Sequence, residues 1–357
     1  MIHGLNEVMK RQEQESRLKS ARQSSFVTKN RENWQLGAPS WANLEGGVTI
    51  PTIVAVGGGK GGVGKSLISA NIGAQMANEG KRVLIIDMDL GSANLHTYFG
   101  FPRPKKSLSD FLSDDSLSFK DLFLQGPMNG LSVISGGRMD ERSLSQKMGP
   151  RFFTRFWREL ALCYSLYHFD FVLIDLGAGT HRLTVELFSL AHVGVVTILP
   201  EPTSIENAYV FLRAYLWRLI ENLGYHSNRA HEASQVCDLL AEVSADSVDG
   251  GYLAALKEQY RNYPEFIRDL GQVVLSRRTG FLVNQVRSRD DEVISGSMES
   301  ICRRFFGLQA HALGYLNYDD AAWKSLRNQR LLLLDFPHSL IVQRLGHAAR
   351  NLLTLCR

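Results

Sequence analysis

Cysteine is sparse: Cys163, Cys237, Cys302 and Cys356 lie far apart and form no C-x-x-C pair. That spacing argues against a disulfide frame or a clustered-thiolate metal site and suits reduced thiols. An excess of one charge is also lacking. The 40 Lys and Arg against 36 Asp and Glu leave a net +4, too mild by itself to point to nucleic acid or membrane. No run approaches the ~18 uninterrupted apolar residues that span a bilayer. The first residues are polar and charged, without the apolar core of a secretion signal. No internal repeat and no low-complexity block is visible. What is present is an ordinary globular mix, 44% hydrophobic and 21% charged, which over 357 residues can build one large α/β core. These bounds predict a soluble, cytoplasmic protein.

Residues 1–47 stand apart. Lys10, Arg11, Arg17, Lys19 and Arg22 alternate with Glu7, Glu13 and Glu15, and Leu5, Val8 and Met9 give only a short apolar stripe. Such a segment can form a helix but not a core. Two readings stand for it, a solvated extension or a docking helix for a partner. From Val48 the pattern becomes strand, turn, helix, repeated, with apolar runs at 52–57, 82–87, 131–135, 170–175, 193–199, 279–284 and 312–316. Continuous Val/Ile/Leu runs separated by amphipathic stretches predict an α/β, doubly wound, mostly parallel sheet with helices on both faces. In such a sheet the loops after the strands share one ligand-binding edge. The rhythm breaks at about 222–275, a helical insertion that either covers a sheet edge or recognises a partner.

The segment Thr52–Val56 is followed by Gly-Gly-Gly-Lys-Gly-Gly-Val-Gly-Lys-Ser at 57–66 and then by a helix-forming run from Leu67. A strand, a G-x-x-x-x-G-K-[ST] loop and a helix in that order make a phosphate-binding loop. Gly59, Gly61, Gly62 and Gly64 let backbone N–H groups close on phosphate oxygens where a Cβ would obstruct them. The helix that follows points its positive end at the same anion. The binding residues so predicted are Gly59, Lys60, Gly61, Gly62, Val63, Gly64, Lys65, Ser66 and Leu67. Lys65 supplies charge to the β- and γ-phosphates of ATP, and the Ser66 hydroxyl can ligate Mg²⁺. Two further apolar strands end in carboxylates. Arg82–Asp87 continues into Met88-Asp89, and Phe171–Asp175 continues into Leu176-Gly177-Ala178-Gly179. An aspartate at such a position can orient a water or hold hydrated Mg²⁺; Asp89 could instead cap the next helix. Asp175 has the placing of a metal-side aspartate, and Gly177 and Gly179 suit a loop that responds to the γ-phosphate.

Lys60, a second lysine inside the loop, resembles the signature of the MinD/ParA family of deviant-Walker ATPases. The resemblance runs from about Val48 to the C-terminus apart from the insertion. It implies that Lys60 reaches the phosphates of a partner subunit when two chains sandwich two ATP molecules. It also implies that Asp89, within D-x-D-x-G-x-x-N at 87–94, polarises the attacking water, with Asp87 nearer the metal shell. The catalytic set is then Lys60, Lys65 and Asp89, the metal set Ser66, Asp87 and Asp175. Asn284, in Phe281–Arg287, matches the family's adenine-binding asparagine. Gly314–Asp319 resembles its G-x-[IL]-P-x-D, with Asp319 on the nucleotide and Asn317 where proline is usual.

Within that family the stretch Pro200–Tyr209, Pro-Glu-Pro-Thr-Ser-Ile-Glu-Asn-Ala-Tyr, looks like the flagellar-number regulator branch, FlhG/FleN. The chain lacks the paired cysteines of iron–sulfur relatives and the tyrosine-rich tail of the kinases of this fold. The tail does not show that branch's D-Q-A-x-x-L-R motif. The resemblance implies a slow ATP hydrolase and an ATP-state homodimer. Its expected partners are a flagellar GTPase, a basal-body component or a transcription regulator, at the inner face of the membrane or a cell pole. The other function class is a nucleotide-dependent scaffold or a positioning ATPase for another polar cargo, with little hydrolysis. Leu340–Leu355 shows helical apolar spacing, read either as the last helix of the fold or as a weak reversible membrane anchor. No basic patch supporting nucleic-acid binding can be located.

Overall fold

The structure, a computed structural model, describes residues 50–242 and 251–357. The polar segment 1–47 lies outside the described residues, as does part of the insertion. Eight strands form one sheet: β1 Thr52–Gly57, β2 Val83–Asp87, β3 Leu124–Gln125, β4 Leu131–Ile134, β5 Phe171–Asp175, β6 Val193–Ile198, β7 Arg278–Val286 and β8 Gln309–Asn317. The order across the sheet is β3-β4-β2-β5-β1-β6-β7-β8. Every pair is parallel except β3 with β4. Each of the seven apolar runs is a strand. The antiparallel edge strand β3 was not foreseen, because two residues carry no periodicity to read.

The longer helices are α1 Lys65–Asn78, α2 Pro150–Ser165, α3 Arg182–Leu190, α4 Pro202–His226, α5 Ala230–Glu242, α6 Gly251–Gln259, α7 Pro264–Ser276, α8 Ile294–Ile301, α9 Asp320–Arg327 and α10 Leu340–Leu355. They cover both faces, which explains why the strands read as unbroken apolar runs. Successive residues of a strand enter opposite layers. Ile53, Ala55, Leu84, Ile86, Val172 and Ile174 pack under α2, α3 and α4. Val54, Val56, Val83, Ile85, Phe171 and Leu173 pack under α1 and α10.

The described part of the stretch 222–275 is built into the first of these layers. Val236, Leu240, Tyr252, Leu256, Phe266, Leu270 and Val274 are buried in the same cluster as Phe211, Tyr215 and Leu219 of α4. An Arg229–Asp269 ion pair ties the start of α5 to α7. Helix α4 runs unbroken through His226. The apolar faces of α5, α6 and α7 are spent on α4, and Tyr260 and Leu275 are the large apolar side chains they leave exposed among the described residues.

Helix α10 closes the opposite layer. Ile341, Val342, Leu345, Ala348, Ala349, Leu352 and Leu355 are buried. Gln75 of α1 donates to the Val342 carbonyl at 3.2 Å, and Asn351 donates to the Leu313 carbonyl of β8 at 3.1 Å. The apolar stripe that an anchor would insert into lipid is therefore already packed on α1 and β8, and of the two readings the last helix of the fold is the one built here. Among the described residues no helix is long and apolar enough to cross a membrane.

Candidate functional site at the strand ends

Five segments meet at the C-terminal edge of the sheet: the loop between β1 and α1, the ends of β2, β5 and β7, and the start of α4. The loop is held from several sides. The Gly179 N–H donates to the Gly58 carbonyl at 3.2 Å, linking the segment after β5 to it. From β7, Asn284 donates through Nδ2 to the Val63 carbonyl at 2.9 Å, and its Oδ1 accepts from the Gln285 N–H at 2.9 Å. Gln285 has φ +59°, next to an irregularity in the β7–β8 register; such a twist at a strand end re-aims a side chain. Gly64, at φ +92°, is required there, because a Cβ on it would lie 2.3 Å from Asn284 Nδ2. The family resemblance implies a base contact for Asn284; in the structure its side chain braces the phosphate loop.

Lys65 is buried, and its Nζ donates to the Lys60 carbonyl at 3.4 Å, inside the cradle that the loop forms. Burial lowers its pKa, opposed by the charges of Asp175 and Asp89. Asp87 and Asp175 are register partners on β2 and β5, and both are buried. Their functions separate here. Asp87 accepts from the N–H of Asp89 at 3.1 Å and of Leu95 at 3.2 Å, so both oxygens shape the segment after β2. Asp175 accepts from Ser69 Oγ at 2.9 Å through Oδ1, while its Oδ2 is buried and meets no hydrogen-bond partner among the described residues. Burial, reinforced by Asp175, raises the Asp87 pKa well above its ordinary value. Burial raises that of Asp175 to about 6, against the Ser66 and Ser69 hydroxyls and Lys65, which favour its ionised form.

An orphaned carboxylate oxygen beside a hydroxyl and an ammonium is the setting a divalent cation relieves. Ser66 and Asp175 fit Mg²⁺ on these grounds. Asp87 supports them from behind rather than offering a free oxygen. No group of three or more His, Cys, Asp or Glu among the described residues could hold a metal by itself. A magnesium ion here would therefore take most of its ligands from phosphate and water. A pH dependence follows. A carboxyl whose folded pKa is raised contributes stability that is full below its unfolded value near 4 and is lost as pH rises through about 6. The magnesium-free protein is expected to melt lower at pH 7.5 than at pH 5.5 on account of this pair, and Asp175→Asn to recover about 1–3 kcal/mol at pH 7.5. Thermal melts of both proteins at the two pH values, with and without MgCl₂, check this; an Asp175→Asn protein less stable at pH 7.5 would contradict it.

Asp89 is half-buried, with Oδ1 accepting from the Ser92 N–H at 3.2 Å. It caps the 89–92 turn and not the next helix, which starts at Leu95. A Cβ on Gly177 would stand 3.6 Å from its carboxylate, so the segments after β2 and β5 touch through this residue. Lys60 is turned to the start of α4. Its Nζ lies 3.2 Å from Glu201 Oε2 and 3.3 Å from Thr203 Oγ1, at the start of α4. Asp319 caps α9, accepting from the Ala321 N–H at 2.8 Å. Asn317, one strand over from the β7 end, keeps its buried Oδ1 without a partner among the described residues. Sequence reasoning missed Ser69, Glu201 and Thr203 as parts of the site. Ser69 lies one helical turn beyond Lys65 and Ser66, the spacing that could have revealed it. No local signal pairs Glu201 with Lys60.

The chain is 30% identical to the antiactivator FleN of Pseudomonas aeruginosa over 163 residues, 45% of this chain and 55% of that protein. It is 25% identical to the flagellum site-determining protein YlxH of Helicobacter pylori over 266 residues, 70% of this chain and 88% of that one. The match thus spans about half the length of FleN but most of YlxH. The fold is shared with the cell division ATPase MinD of Pyrococcus furiosus, at TM-score 0.57 and 17% identity over 86% of this chain and 100% of that one. MinD of Pyrococcus horikoshii, solved with Mg-ADP, gives TM-score 0.55 and 16% identity over 85% and 96%. Residues 54–332 match the family described as the CobQ/CobB/MinD/ParA nucleotide binding domain. With its glycine loop at the end of β1 and two buried aspartates at the ends of β2 and β5, the chain belongs to that family.

Proposed function

We propose that this protein is an ATP hydrolase that dimerises on ATP and serves as a slow switch in the number or placement of flagella. The observation that carries the reading is the opposite setting of the two lysines in one loop. Lys65 is buried inside the cradle, whereas Lys60 is partly exposed and is paired with Glu201 at the start of α4. A lysine so placed serves a second chain better than its own, supplying charge in trans as an arginine finger does. The likeness to FleN and YlxH supports the flagellar assignment.

The working site follows from the residues. The backbone amides of Gly59 to Leu67 hold the phosphates, and Lys65 neutralises them. Mg²⁺, held by Ser66 and Asp175, would supply further positive charge to the phosphate oxygens. Asp89 accepts a hydrogen bond from the water that attacks the γ-phosphorus. The bond to the bridging oxygen then breaks, leaving ADP, phosphate and a proton. Asn284 keeps the loop in shape throughout, and Asn317 and Asp319 flank the base side. The two segments after β2 and β5 meet at Asp89 and Gly177, so loss of the γ-phosphate would be felt by both and by any protein docked on them. The 1–47 segment and the insertion are further candidates for partner recognition.

Size-exclusion chromatography with MgATP tests the reading together with a phosphate-release assay. The protein is expected to dimerise and to release phosphate slowly, and Lys60→Ala to stay monomeric while still binding ATP. A Lys60→Ala protein that dimerises as readily as the parent would overturn the trans role.

A further inference from the structure

The start of α4 is a rigid mount. The Leu199 N–H donates to Ser204 Oγ at 2.9 Å, the Glu201 N–H to the Leu199 carbonyl at 2.8 Å, and the Ser204 N–H to the Glu201 carbonyl at 3.0 Å. Pro202 opens the helix, and the loop backbone at Gly59 sits directly on Asn207. Glu201 and Thr203 therefore approach Lys60 from a fixed position, and two of its three ammonium donors are committed to them.

We propose that Glu201 and Thr203 form an intrachain latch on Lys60 that opposes closure of the ATP dimer. The inference rests on the dimer reading above. Its sign follows from charge alone. If Lys60 leaves to meet phosphate on a second chain, the pair with Glu201 is lost. If Lys60 instead carries Glu201 along, a carboxylate is brought towards phosphate oxygens, which repel it. Either way Glu201 raises the protein and nucleotide concentrations at which two chains close. The latch is set to be weak, because Lys60 and Glu201 are 39% and 52% exposed. A pair of this kind shifts an equilibrium by roughly two- to fivefold, and a dimer opens two of them.

The test compares the parent, Glu201→Gln and Thr203→Val by sedimentation velocity in a non-hydrolysable ATP analogue with Mg²⁺. Glu201→Gln is expected to dimerise at about tenfold lower protein concentration, with the gap narrowing in 0.5 M NaCl as screening weakens the latch. Thr203→Val, which removes only the hydroxyl contact, is expected to shift in the same direction by less. Thermal melts establish that both variants are folded. A Glu201→Gln protein that dimerises no better than the parent, or worse, overturns the latch. If the parent dimerises and Lys60→Ala does not, that failure belongs to the latch alone. If neither the parent nor Glu201→Gln dimerises, the dimer reading falls with it.

Discussion

Replacing Asp89 with alanine is expected to lower phosphate release by about 10²- to 10³-fold, the usual range for loss of a group that positions and polarises an attacking water. ATP binding is expected to survive, because the loop, Lys65 and Asp175 are untouched. With hydrolysis blocked, the ATP-state dimer should persist on a sizing column long after the parent has returned to monomer. The carboxylate also holds the 89–92 turn through Ser92, so the alanine alone does not separate geometry from chemistry. Asp89→Asn does, since its side-chain carbonyl still accepts from the Ser92 N–H but carries no charge. Both variants should be comparably slow. Near-normal turnover in the asparagine protein would assign the residue to the turn alone, and a monomeric, fast Asp89→Ala protein would remove it from the hydrolytic scheme.

Gly59→Ala is expected to abolish useful nucleotide binding while leaving the fold intact. A Cβ at this position would stand 1.9 Å from the Asn207 carbonyl oxygen and 2.3 Å from its carbon. Those atoms belong to the backbone of α4, whose buried residues lie in one of the two main cores, so the loop must move and not the helix. A displacement of about 1 Å in a phosphate cradle is worth roughly 10²-fold in productive geometry. Titration with a fluorescent ATP analogue should show affinity down by at least that factor. The melting temperature should fall only modestly, the local cost of overpacking being about 1–3 kcal/mol. Unchanged affinity would mean that the loop and α4 are not coupled at this contact.

Much of the site is legible along the chain because its parts are neighbours in sequence. The loop from Gly57 to Ser66 lies between a strand and a helix, and Asp87 and Asp175 end apolar runs. Chain proximity alone therefore puts Lys65 and Ser66 at the N-terminus of α1. The fold was legible for the same reason: runs buried on both faces carry a strong apolar signal. Asn284 shows the limit. Its position at a strand end is written in the sequence, but its grip on Val63 depends on the irregular backbone at Gln285 and on the absence of a Cβ at Gly64. The apolar spacing of Leu340–Leu355 likewise fits either a lipid surface or a protein surface, and only the presence of α1 and β8 against it decides between them.

The sequence by itself determined that a phosphate loop stands at the end of β1, that two carboxylates end the strands β2 and β5, and that the sheet is mostly parallel and covered on both sides. Tertiary structure alone decided what each of these groups does for the others. The strand order sets β5 on one side of β1 and β6 on the other. The first neighbour brings Asp175 to Ser69, and the second delivers the start of α4 to Lys60, across a separation of 141 residues. Hydrogen bonds and charge act over a few ångströms of space, and residue order specifies such distances only within a turn or two of the chain. The partners of Lys60, Asp175 and Val63 were therefore settled by how the strands line up.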